Sequence, residues 1–141
     1  MAERFVYHAV RSIDERQSLL KGIDKLKFKH NSRFGYAFYL SEVRGTAIAE
    51  CLYHNQDQNV YDVVRYPFNP DSENILDLTD ASIAKKWGYC GGNNYAVAQS
   101  IAKLAQHSGF NVIRYSSERG QGANLAVFDN FNKLLIPEEE I

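Results

Sequence analysis

The sequence predicts an α+β fold, with a mostly antiparallel sheet and three to four flanking helices. Short runs of β-branched and aromatic residues recur from "FVYHAV" near the start to "NLAVF" near the end. Between them lie stretches with helical spacing and recognisable end signals, in an irregular order of strands and helices. There is no internal repeat and no low-complexity tract. With 141 residues, 45% of them hydrophobic, the chain has the content of one domain over 1–141, able to bury about two-thirds of its surface.

Each element has a local reason. Phe5 to Val10 reads as a strand. In "SIDERQSLLKG", Ser12 followed three residues later by Glu15 is a capping-box pattern, and Gly22 suits a helix stop. "YAFYLS", Tyr36 to Ser41, is a second strand. From Val43 to His54, the residues Val43, Ala47, Cys51 and His54 recur at helical spacing, widened by Ile48 and Leu52. "NVYDVVRYPF" is a strand that Pro67 places near a sheet edge. "NILDL" is a short strand, after which Thr79 or Asp80 caps a helix ending near Trp87. "GYCGGNNY" is a loop entering a helix from Tyr95 to His107, closed by Gly109. "NVIRYSS" and "NLAVF" are strands joined by the loop "ERGQGA", and "KLLIP" offers a last extended segment.

Charge and cysteine content exclude several classes. The net charge of −1 calls for neither nucleic acid nor an anionic membrane. The halves differ, at +2 for residues 1–70 and −3 for 71–141, with much of the positive charge between Lys21 and Arg33. That run is a solvated face or a rim that attracts an anionic substrate. Cys51 and Cys90 are too few for a disulfide framework and read as reduced thiols. His8, His30, His54 and His107 form no metal-binding pattern, so no metal is expected. No apolar run reaches the roughly 20 residues of a membrane span, and no signal peptide opens the chain, which points to work in a cytosol.

Three places carry candidate chemistry. In "TAIAEC", Glu50 stands among apolar residues on a helix. A buried, unpaired carboxylate costs several kcal/mol, so Glu50 is paired, edge-exposed or functional. Arg33, in "NSRFGYAFY", suits bidentate binding of a phosphate or pairing with Glu50. Tyr36 and Tyr39 have odd spacing and face opposite sides of a strand, so at most one shares a site with Arg33. The third place, "YSSERGQGAN", offers two hydroxyls, a Glu–Arg pair and two glycines on a loop between strands. It is no nucleophile elbow, and "GYCGGNN" matches no phosphate-loop pattern.

Taken in order and with their spacing, "SRFGYAFYLSEVRGTAIAECLYH", "ILDLTD" and "GFNVIRYSSERGQGANLAVFDN" resemble the RES domain family, named for its arginine, glutamate and serine. The resemblance spans roughly Tyr7 to Leu135. It implies the split-sheet fold of diphtheria-type ADP-ribosyltransferases and NAD as substrate, with the nicotinamide–ribose bond cleaved by hydrolysis or phosphorolysis. By position the family's arginine falls on Arg33, its tyrosine on Tyr39, its glutamate on Glu50 and its serine on Ser117, with Ser116 its alternate. Tyr7 joins the dinucleotide-binding set. His8 stands where an early arginine is common, and Ser116 where a proline often precedes the serine.

The implied roles follow the chemistry. Cleavage builds oxocarbenium character that Glu50 would face. Arg33 would hold the diphosphate, Tyr39 would pack on nicotinamide or ribose, and Ser117 would bond the nicotinamide amide. The chain is also similar to the C-terminal toxin domains of bacterial polymorphic or Rhs-type secreted proteins. The likeness implies a cognate immunity protein as partner, delivery by a larger polypeptide and action in the bacterial cytoplasm, with no membrane partner. One alternative is an ADP-ribosyltransferase toxin acting on a protein or RNA, with Glu138 and Glu140 as its glutamate pair. Another is a non-enzymatic dinucleotide-binding module in which Arg33 and Glu50 pair.

Overall fold

A computed structural model describes residues 5–20, 30–54, 62–68, 74–92 and 94–128, and all structural statements refer to these. They form β1 (Phe5–Val10), α1 (Ile13–Leu20), β2 (His30–Ser32), β3 (Gly35–Ser41), α2 (Arg44–His54), β4 (Asp62–Pro67), β5 (Ile75–Asp77), α3 (Ala81–Trp87), α4 (Tyr95–His107), β6 (Val112–Ser116) and β7 (Ala123–Val127). The fold is α+β, as the sequence predicts. The sheet runs β4-β1-β3-β7-β6-β5, with β2 paired to β3 off this path. Its pairs are antiparallel except β5–β6. That parallel pair needs a long crossover, which α3 and α4 supply.

Local signals act where the sequence places them. Ser12 Oγ accepts the Glu15 amide at 3.1 Å. Glu15 does not return the capping-box bond; its carboxylate lies 3.2 Å from His8 Nε2 instead. Asp80 caps α3 by accepting the amides of Ser82 and Ile83, and Gly88 ends that helix at φ 75°. β4 is an edge strand closed by Pro67, where a missing N–H costs no ladder bond.

Three features depart from the expectation or extend it. β2 was not foreseen: its three residues "HNS" carry no alternation and become a strand by pairing with β3. Val43 and Leu52, expected in the buried stripe of α2, are exposed. Val43 precedes the first helical turn, and the stripe that is covered runs through Ala47, Ile48 and Cys51. The Gly22 stop and the "KLLIP" segment lie outside the described residues.

Alternation along the strands gives the sheet two faces. Val6, Val10, Phe38, Leu40, Val64, Tyr66, Val112, Leu125 and Val127 pack on one, with Leu19 of α1. The opposite face is shared between two helices. Ala47, Ile48 and Cys51 of α2 cover Tyr7, Ala9 and Val63 on the β1–β4 side. Ala98, Ile101, Ala102 and Ala105 of α4 cover Ala37, Ile113, Tyr115 and Ala126 on the other side. Three of those four α4 residues are alanines, which let the helix lie close to the strands. β1 and β3 share a single registered pair, Tyr7↔Ser41. Beside it His8 Nδ1 donates to Tyr39 O at 2.9 Å, a side chain bridging strands that diverge.

Candidate active site

The helix-covered face leaves a strip between α2 and α4, over the middle strands β3 and β7. Polar side chains gather there because each is sent by a different element. Glu50 comes from α2, and its Oε2 accepts Asn124 Nδ2 at 2.8 Å. Asn124 comes from β7, the one polar residue of an otherwise apolar strand, on the face it shares with Ala126. Its Oδ1 accepts the Ser41 hydroxyl of β3 at 2.6 Å. The amide has one possible sense: an ionised carboxylate only accepts, so Nδ2 faces Glu50 and Oδ1 faces Ser41. Both Ser41 and Asn124 are buried.

Arg33 sits at the tip of the β2–β3 hairpin. Ser32 pairs with Gly35, leaving Arg33 and Phe34 as a two-residue turn, and Gly35 takes φ 82°, which a side chain would resist. Tyr39 fastens the turn: its hydroxyl donates to Gly35 O at 2.6 Å and accepts the Phe34 amide at 3.0 Å. Gln99 of α4 donates to Ser32 O at 3.0 Å. The guanidinium is thereby held inside, 7% exposed. It donates to Gly92 O and to Glu118 Oε2, and lies 4.9 Å from the centre of the Tyr95 ring. Among the described residues Arg33 pairs with Glu118, while Glu50 takes Asn124.

The β6–β7 loop supplies the last wall. Ser117 Oγ accepts the amides of Arg119 and Gly120 at 3.1 and 3.2 Å, and Ser117 N donates to Gly122 O at 3.0 Å. The loop is pressed on the start of α2, where the Thr46 hydroxyl donates to Gln121 O at 2.6 Å. A Cβ on Gly120 would stand 2.6 Å from Thr46 Oγ1. Gly120→Ala is therefore expected to break that bond and destabilise the domain by about 1–3 kcal/mol, read as a lower denaturant midpoint. An unchanged midpoint would show that the loop does not depend on this close approach.

Electrostatics ties the strip together. Burial pushes the Glu50 carboxyl above its ordinary value, opposed by Arg119, Arg33 and the Asn124 hydrogen bond, while Glu118 pushes the same way as burial. Burial works against the charge of Arg33, yet Tyr89, Glu118, Tyr95 and Tyr115 together leave its pKa raised. Burial likewise raises Tyr39 and Tyr115, both close enough to feel Arg33.

The structure thus brings Arg33, Tyr39, Glu50 and the Ser117 loop to one face. Tyr7, cross-strand from Ser41, lies on that face under α2. Tyr36 is exposed, and alternation along β3 puts it on the face opposite Tyr39. Ser116 is set apart: alternation along β6 puts it opposite Tyr115, on the side of Arg114. There Arg114 forks onto Glu42 at 2.8 and 2.9 Å and also meets Asp77 and Thr79, fastening β6 to β5. His8 faces away as well, its ring 4.4 Å from Phe38.

Residues 27–139 match the RES domain family. This chain belongs to that family. The matched span holds Arg33, Tyr39, Glu50, Ser116 and Ser117, whereas Tyr7 and His8 precede it. No curated protein matches the chain. Sequence reading missed four members of this RES domain's site: Asn124, Ser41, Tyr95 and Gly92. For Asn124 a signal existed, since an amide inside "ANLAV" needs a buried partner. Glu118 and Arg119 were visible as a charged pair, but their partners were not.

Proposed function

We propose that this RES domain cleaves the bond between nicotinamide and ribose in NAD, releasing nicotinamide and passing the ADP-ribosyl group to water or phosphate. The observation that carries the reading is Glu50, a half-buried carboxylate on an apolar helix, fixed by Asn124 and set near Arg33 and Arg119.

As the C–N bond breaks, its electron pair goes to the pyridinium ring, which leaves as neutral nicotinamide, and positive charge builds on the ribose. A carboxylate already desolvated and held in place opposes that charge without reorganising. Arg33 binds the diphosphate, with the Tyr95 ring beside its guanidinium. Tyr39 holds the arginine turn, and its ring and Tyr7 wall the nicotinamide–ribose end. Ser117 accepts two amides, which leaves its hydroxyl hydrogen to donate to the nicotinamide carboxamide. Ser117 stands with the cluster and Ser116 across the sheet, which favours Ser117 as the serine of this site.

An activity that drains a cofactor every cell needs makes the domain a toxin of the bacterial cytoplasm. It would be delivered by a larger secreted polypeptide and held in check by an immunity protein.

The purified domain is expected to release nicotinamide from NAD in step with free ADP-ribose or, when phosphate is added, its 1-phosphate. Absence of nicotinamide release would refute the reading. Label from NAD retained on a protein or RNA would replace it with ADP-ribosyl transfer.

A further inference from the structure

The guanidinium proposed to bind a diphosphate already holds an anion, the side chain of Glu118. One carboxylate oxygen takes the Arg33 guanidinium, and the other accepts the Gly92 amide at 3.1 Å. Arg33 in turn donates to Gly92 O, so the three groups close a ring. The donors that Glu118 satisfies, one guanidinium N–H and one backbone N–H, are those a phosphate oxygen pair would use. Gly91 and Gly92 both take positive φ, at 73° and 72°, which lets this backbone turn present its amide and carbonyl to the same partners.

We infer that Glu118 is an exchangeable counter-ion, which leaves Arg33 when the substrate's diphosphate arrives and so sets the affinity for it. A buried guanidinium needs a partner at all times, because an unpaired buried charge is costly. Glu118 supplies one carboxylate, and an incoming diphosphate supplies two negative groups.

The two partners differ in freedom to move. Arg33 is 7% exposed and held by Gly92 and its hairpin, whereas the Glu118 side chain is 37% exposed and reaches in from the surface. The loop backbone around Glu118 is fixed by Ser117 and Thr46, so the exchange is a side-chain rotation with the loop in place. Released to water, the carboxylate regains its hydration, and because the Glu118 side of the pair is partly exposed and the diphosphate takes its place on Arg33, the loss is modest. The exchange itself rests only on the pairing of Arg33, Gly92 and Glu118; that the incoming anion is a dinucleotide rests on the proposed function.

The test uses inorganic pyrophosphate as probe, titrated by calorimetry into the whole domain and into Glu118→Gln and Glu118→Ala. Both variants are expected to bind pyrophosphate about two- to fivefold more tightly than wild type, the range set by displacing a partly exposed ion pair worth up to about 1 kcal/mol. Both should also show a larger rise in melting temperature on adding it. Equal or weaker binding in folded variants would overturn the inference, as would no detectable binding to any of the three proteins. Nicotinamide release is scored separately. Tighter pyrophosphate binding without any NAD cleavage would support the exchange while removing the proposed reaction. NAD cleavage with unchanged pyrophosphate binding would do the opposite.

Discussion

Glu50→Gln is expected to lower NAD cleavage by about two to three orders of magnitude or more, the scale of losing one pre-placed electrostatic group, while the domain stays folded. The substitution keeps shape and removes charge. Asn124 Nδ2 can still donate to the new side-chain oxygen, so the Ser41–Asn124 pair remains satisfied. Stability follows the sign of the carboxyl shift. Burial raises the Glu50 pKa above its ordinary 4.5, so the folded protein holds this proton more tightly than the unfolded chain. That contribution is fully present below the unfolded value and is lost as pH rises through the folded one. Above this window the wild type carries a half-buried charge and Glu50→Gln does not, so the variant should melt at the same temperature as wild type or higher near neutral pH. In the wild type, cleavage needs the ionised form, and the acid limb of kcat/KM should lie above the usual range for glutamate. Full turnover by a folded Glu50→Gln domain would end the proposal that this carboxylate opposes the ribosyl cation.

What could be read from the sequence was what neighbours a few residues apart decide. Asp80 and Gly88 bound α3 because capping is a matter of one turn, and Pro67 marks an edge because it removes one donor. The apolar setting of Glu50 was equally local, since helical spacing alone places Ala47 and Cys51 beside it. Partners were another matter. Glu118 stands 85 positions from Arg33, and Asn124 stands 74 from Glu50; the topology that brings β7 beside β3 selects these pairs. Pairing of Arg33 with Glu50 looked reasonable because both lie in one stretch. The hairpin turns Arg33 toward Gly92, and α2 turns Glu50 toward β7. β2 was illegible for the same reason: "HNS" has no strand signal of its own and is ordered by β3.

Asn124→Asp should be the most damaging small change in the site. It alters one atom, yet it puts a second carboxylate where Nδ2 stood, 2.8 Å from Glu50 Oε2, at a position 2% exposed. Two ionised carboxylates cannot share that space, so one must keep a proton or the pair must separate. At neutral pH the expected cost is about 2–4 kcal/mol in denaturant unfolding, from a lost charged hydrogen bond and an uncompensated buried charge. The like charge raises the folded pKa values of the pair above the unfolded carboxylate value of about 4. The variant should therefore match wild type most closely below that pH and lose stability as pH rises through the raised values. Activity should not fully return on acidification, because the proton that relieves the repulsion is shared between the two carboxyls and neutralises Glu50 for part of the time. Asn124→Ala separates the two effects: it removes the donor that favours the Glu50 carboxylate and leaves a gap, so its cost also grows as Glu50 ionises, but less than that of Asn124→Asp, which adds a second charge. If Asn124→Asp unfolds at the wild-type midpoint at pH 7 and cleaves NAD with an unmoved acid limb, then Asn124 does not hold the Glu50 carboxylate in place.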